Sequence, residues 1–146
     1  MNTIDWNTIK TAHGTAGNIP VALEKLSSID SQTRKEGYWQ IDNHAVLQGD
    51  LYEAAYYVID PLVQLLTQKN SPDKINSIEL LIEITLGWAP TDVMIEIEGK
   101  SIPLQSACHS KIKGYTNLLK QISSSSQEKE KNKIDELIHI IDEELG

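Results

Sequence analysis

The sequence predicts an all-α fold, with about six to eight helices packed as antiparallel pairs, and three observations carry that prediction. Apolar residues recur at three- and four-residue steps along most of the chain, and only one short stretch alternates as a half-buried strand would. The apolar stock is also aliphatic, because 40% of the residues are hydrophobic while phenylalanine is absent. A length of 146 residues fits one domain, read here over residues 1–146.

Asp5 or Asn2 caps a short first helix carrying Trp6 and Ile9, and His13 to Asn18 follows as a glycine-punctuated turn. Asn18 and Ile19-Pro20 open the next helix, since proline at a first helical position forfeits only an N–H that was orphaned anyway. Val21, Ala22, Leu23 and Leu26 form its apolar side, and Ser27, Ser28 and Asp30 end it. Asp30 caps a third helix with Tyr38, Trp39, Ile41, Ala45 and Val46 as core candidates, weakened at Gly37 by about 1 kcal/mol relative to alanine.

The stretch from His44 to Leu66 is the organising element. A turn at Gly49 feeds an apolar helix that Pro61 interrupts, and Leu51, Ala54, Ala55, Val58, Ile59, Leu62, Leu65 and Leu66 share one wide face. Asn70-Ser71-Pro72-Asp73 signals another helix, lined by Ile75, Ile78, Ile82 and Leu86 and widened by Leu80, Leu81 and Ile84; Gly87-Trp88-Ala89-Pro90 stops it. Val93 to Glu98 alternates and Glu98-Gly99-Lys100 reads as a turn. With no second strand of similar quality in sight, this stretch is read as a connection or the arm of a short hairpin. Ile102-Pro103 opens a helix through Leu104, Ala107, Cys108, Ile112, Tyr115, Leu118, Leu119 and Ile122, which Ser123 to Ser126 ends. An amphipathic last helix carries Ile134, Leu137, Ile138, Ile141 and Leu145.

Pro20, Pro61 and Pro103 fall 41 and 42 residues apart, each ahead of apolar helical pattern. Two-helix solenoids of the HEAT type repeat every ~40–47 residues, and this spacing fits that period. Trp6, the segment Ala12-His13-Gly14-Thr15-Ala16-Gly17-Asn18-Ile19-Pro20-Val21-Ala22-Leu23, and Leu47-Gln48-Gly49-Asp50-Leu51-Tyr52-Glu53-Ala54 followed by Pro61-Leu62 together resemble a bacterial family of HEAT-like helical proteins. The likeness covers residues 6–66. It departs where that family has His directly before Gln-Gly, for Leu47 stands there and His44 lies three residues earlier. Small acidic members of such families resemble immunity proteins that neutralise toxins passed between neighbouring bacteria, as in contact-dependent growth inhibition and polymorphic toxin systems. The resemblance therefore implies a helical stack whose partner is a cognate toxin.

The charge balance points the same way. Thirteen basic and 21 acidic side chains give a formal net charge of −8, which repels phosphate backbones and favours a basic partner; the plain alternative is that the surplus only keeps the chain soluble. Apolar runs are too short to span a membrane, and Met1 to Trp6 has neither the basic nor the apolar part of a signal peptide, so a cytoplasmic location is expected. The single cysteine, Cys108, forms no intrachain disulfide.

No catalytic, cofactor or metal signature stands out. Gly99-Lys100-Ser101 has Met94 where a phosphate-binding loop needs glycine. Cys108 and His109 are adjacent on a helix and diverge by about 100 degrees, so they do not form a dyad. Asp42, His44, Asp50 and Glu53 could be imagined around a divalent ion, yet their spacing matches no known site. Acids are the sharper pattern. Asp42, Asp50, Glu53 and Asp60 surround the central turn, Glu79 and Glu83 stand one helical turn apart, and Asp92, Glu96 and Glu98 occupy the later connection. With Tyr56, Tyr57 and Trp88 as aromatic anchors, these twelve residues are the candidate partner-binding set, expected to imitate phosphates against the cationic cleft of a nuclease toxin. Non-catalytic scaffolding of another protein and, ranked last, a metal-dependent enzyme through His44 are the rival expectations.

Overall fold

The computed structural model describes residues 4–69 and 73–146. Two sequence expectations, a cap at Asn2 and the Asn70-Ser71-Pro72 start signal, lie outside those residues. The fold is mostly helical. Among the described residues a 3-10 turn at Trp6–Thr8 precedes seven α-helices: α1 (Ile19–Lys25), α2 (Ser31–Ala45), α3 (Glu53–Thr67), α4 (Ile75–Leu86), α5 (Leu104–Gly114), α6 (Thr116–Ser124) and α7 (Glu128–Leu145). Three two-stranded antiparallel hairpins lie between them: β1 (Lys10–Thr11) with β2 (Gly14–Thr15), β3 (Val46–Leu47) with β4 (Asp50–Leu51), and β5 (Met94–Ile97) with β6 (Lys100–Pro103).

The helices stack in pairs. α1 packs on α2, α3 on α4, and α6 on α7, while α2, α4 and α7 touch in succession and α3 meets α5. Helices joined by short connections and packed on each other run antiparallel, and burying each pair's apolar face on the next is the logic of a helical stack. The buried side chains form one contiguous cluster. α3 lies at its centre, with Ala54, Ala55, Val58, Ile59, Leu62, Val63 and Leu66 all buried.

Local chemistry sets the boundaries. Asp5 accepts a hydrogen bond from the Asn7 N–H, and Asp30 caps α2 by accepting one from the Thr33 N–H at 3.0 Å. Pro20 sits in the first turn of α1. The loops of the second and third hairpins put both central residues in the left-handed region, Gln48 and Gly49 at φ 52° and 85°, Glu98 and Gly99 at 51° and 79°. Positive φ at both positions is the type I′ geometry, whose twist matches that of the strands it joins.

Several expectations need correction. Pro61 does not interrupt its helix, because α3 continues through it to Thr67. A helix-interior proline costs about 3 kcal/mol, but burying each large aliphatic side chain on the opposite face of α3 returns roughly 1.5–3 kcal/mol. The proline spacing is consequently no structural repeat: Pro20 opens α1, Pro61 lies within α3, and Pro103 ends β6. What recurs is a hairpin ahead of α1, of α3 and of α5. Of the two readings of the stretch near Glu96, the arm of a short hairpin holds, but the partner strand absent from that reading is present at Lys100–Pro103, concealed by the Ile102-Pro103 helix-start signal. The helix expected from Ile102 to Ile122 is two helices divided at Gly114-Tyr115, and the helix before the last ends at Ser124. Val21 and Trp39 are exposed, and α4 buries Ile78, Leu80, Leu81 and Ile84 while Leu86 faces out.

Gly37 is a packing residue. A Cβ placed there would meet the Ala22 carbonyl oxygen at 2.6 Å and the Lys25 Cβ at 2.8 Å, so α1 rests directly on the α2 backbone. Gly37→Ala gains up to about 1 kcal/mol of helix propensity but overpacks the contact at a cost of roughly 1–3 kcal/mol. The expected outcome is a net loss of stability, read as a lower urea midpoint.

Candidate functional site

All three hairpins reach one region, for Lys10 of β1, Asp50 and Leu51 of β4 and Met94 of β5 line a common cleft, and main-chain bonds tie the first hairpin to α2 and the second to Trp88. The Ala12 N–H donates to the His44 carbonyl at 3.0 Å, the Trp88 N–H to the Gly49 carbonyl at 2.8 Å, and the Leu51 N–H to the Trp88 carbonyl at 2.9 Å. Gly87 permits the last of these contacts, since a Cβ there would clash with Leu51 Cδ2. Trp88 is therefore held by its backbone while its side chain remains 56% exposed.

Beside it opens a cleft of about 390 Å³, lined by Lys10, Asp50, Leu51, Tyr52, Glu53, Trp88, Pro90, Val93, Met94 and Leu104. Its floor is apolar and part of its wall is exposed, with Val93 at 38% and Met94 at 44%. Asp50 and Glu53 stand on the rim, and Glu53 Oε1 accepts the Lys10 N–H at 2.9 Å. Exposed apolar side chains gathered under a charged rim are the make-up of an interaction surface.

On the other side of the Gln48-Gly49 turn lies a second hollow of about 330 Å³, lined by Asp42, Val46, Gln48, Gly49, Glu83 and Leu86. Tyr38 donates its hydroxyl proton to Glu83 Oε1 at 2.7 Å, and Glu83 Oε2 is buried without a partner. Burial, the neighbouring Asp42 carboxyl and the charge of Glu79 raise the Glu83 carboxyl to about 7, against the lowering pull of Tyr38. Burial and the Glu83 hydrogen bond in turn push the Tyr38 phenol well above its ordinary range.

The twelve sequence candidates do not form one patch. Asp50, Glu53 and Trp88 share the first cleft, and Asp92, Glu96 and Glu98 lie on the adjoining β5–β6 ribbon and its approach, all three exposed. Asp42 and Glu83 share the second hollow, with Glu79 near enough to act on Glu83 by charge. Asp60 is committed internally: it accepts from the Lys111 ammonium at 2.8 Å and from the Tyr115 hydroxyl. Burial opposes the Lys111 charge, but Asp60 outweighs it and the lysine is held above its ordinary range, while burial and the same carboxylate lift Tyr115 to about 12. Lys111 also caps the Tyr56 ring at 4.2 Å, and Tyr56 meets Tyr57 edge to face. This trio thus braces α3 against α5. Sequence reading missed Val93 and Met94, whose exposure depends on the strand pairing, and Lys10.

The imagined metal set is dispersed. His44 Nδ1 bonds the Gln40 carbonyl at 2.6 Å, Glu53 serves Lys10, and among the described residues no three His, Cys, Asp or Glu side chains are grouped to hold a metal ion. Cys108 is buried, and burial pushes its thiol up to about 12, away from the reactive thiolate. No described helix is long and apolar enough to cross a membrane. Compared with family models, curated proteins and solved structures, the chain has no match.

Glu83 makes stability depend on pH. Unfolded it titrates near 4.5 and folded near 7, so its protonated form contributes fully below 4.5 and that contribution is lost as pH rises through 7. Glu83→Gln keeps a neutral group in place, able to accept from Tyr38 and donate to Asp42. Urea unfolding on either side of this window should show a parent that weakens with rising pH and a variant whose slope is shallower.

Proposed function

We propose that this chain is a non-catalytic immunity protein that binds a cationic toxin through the cleft that its three hairpins reach. One observation carries it: the exposed Trp88, Val93 and Met94 lie in a cleft rimmed by Asp50 and Glu53, on a chain of net charge −8. The apolar floor supplies the desolvated anchor that interface affinity needs. The acids on the rim and on the neighbouring ribbon select a positive surface and speed its approach. A nuclease is the toxin that suits this surface, because an enzyme that grips RNA or DNA presents a cationic cleft of the kind these carboxylates would occupy. The resemblance of residues 6–66 to HEAT-like helical proteins, whose small acidic members resemble immunity proteins, supports the same reading.

Mixing the purified chain with the product of a neighbouring toxin-like reading frame tests it. A stable complex and loss of toxin activity are expected; no complex and undiminished activity would remove the proposal. Trp88→Ala should cost about 2 kcal/mol of binding, roughly thirtyfold in affinity. Asp50→Lys should mainly slow association, an effect that fades with added salt.

A further inference from the structure

The β5–β6 ribbon indicates how such a partner would be held. Its register pairs Met94 with Pro103, Ile95 with Ile102, Glu96 with Ser101 and Ile97 with Lys100. A two-residue turn makes Ile97 and Lys100 the closing hydrogen-bonded pair, and antiparallel alternation then makes Ile95 with Ile102, and Val93 with Leu104, the next bonded pairs. The Leu104 N–H does donate to the Val93 carbonyl, at 2.8 Å. Met94 and Glu96 must consequently direct their N–H and C=O groups away from β6. No other hydrogen bond among the described residues reaches them.

The two edges of the ribbon are not equivalent. The same alternation turns Ser101 and Pro103 outward on β6, and Pro103 has no N–H to offer, which blunts that edge. The edge of β5 has no such protection. Ile95 is 2% exposed and ties one face of the ribbon to the core, while Met94 and Glu96 are exposed on the other, and Met94 also lines the Trp88 cleft.

We infer that β5 accepts an extended, cationic segment of the partner as a third strand. Backbone pairing would supply the registration, and Glu96, with Asp92 and Glu98 at the ends of the strand, would select lysine or arginine across it. A second copy of this chain fits poorly: pairing β5 with itself sets Glu96 against its own kind on two chains of net charge −8 each. This inference rests on the cationic-partner reading above, which it narrows to a strand.

The probe is a short synthetic peptide of alternating lysine and valine, added to the full chain labelled for amide exchange. The Met94 and Glu96 amides are expected to exchange at least about tenfold more slowly, with Ile95, already paired, unchanged. The same peptide N-methylated at alternate residues should not bind. Glu96→Pro, which gives β5 the residue that β6 carries at Pro103, should abolish binding; if that variant does not fold, the N-methylated peptide still decides. Binding without protection of those amides, equal binding of the N-methylated peptide, no binding of the parent peptide, or a dimer of the chain in its absence would each overturn strand addition. If these arms fail while the toxin complex forms and depends on Trp88, the strand is wrong and the immunity reading stands. If no toxin complex forms, that reading fails whatever the peptide does.

Discussion

Burial of α3 from both sides is the constraint on which the rest depends. Its seven buried positions are all alanine, valine, isoleucine or leucine, and a core without phenylalanine can reach native density only if helices approach closely. Gly37 under α1 and Gly87 against Leu51 are where that approach leaves no room for a Cβ. Pro61 is tolerated for the same reason, since the burial it accompanies outweighs one missing main-chain bond.

The central helix also organises the polar groups. Asp60 projects from it to Lys111 and Tyr115 on and just after α5, and Glu53 at its first turn reaches the Lys10 N–H in the first hairpin. The acids on and around this helix therefore differ in what they do, for Asp60 joins helices while Asp50 and Glu53 border an open cleft. On the neighbouring α4, Glu83 shares a half-buried site with Asp42 and Tyr38, where the phenol keeps its proton and the crowding of two carboxyls favours one more proton, held by Glu83.

Much of the helical plan was legible because it is written in local spacing. The wide face of α3, the Asp30 cap and Pro20 in the first turn of α1 each follow from neighbours within one or two turns. The face that α4 buries was not, since Ile75, Ile82 and Leu86 are as apolar as Ile78 and Ile84 and only the packing of α2 and α7 selects between them. The β5–β6 hairpin was half legible. Its turn is local, but Lys100–Pro103 has neither alternation nor strong strand propensity and becomes a strand only by pairing. For the site, Asp50, Glu53 and Trp88 were found from charge and aromaticity. Their juxtaposition with Val93 and Met94 depends on tertiary contact, as does the engagement of Asp60 by Lys111 and Tyr115.

Trp88 and Asp50 owe their positions to carbonyl and amide groups, which every residue type but proline carries alike. The Gly49–Trp88–Leu51 bonds that hold the cleft in place are indifferent to which side chains hang from them. A surface mounted in this way can change its chemical face by substitution without unsettling the body beneath, so related chains can diverge in what they grasp while keeping the same frame.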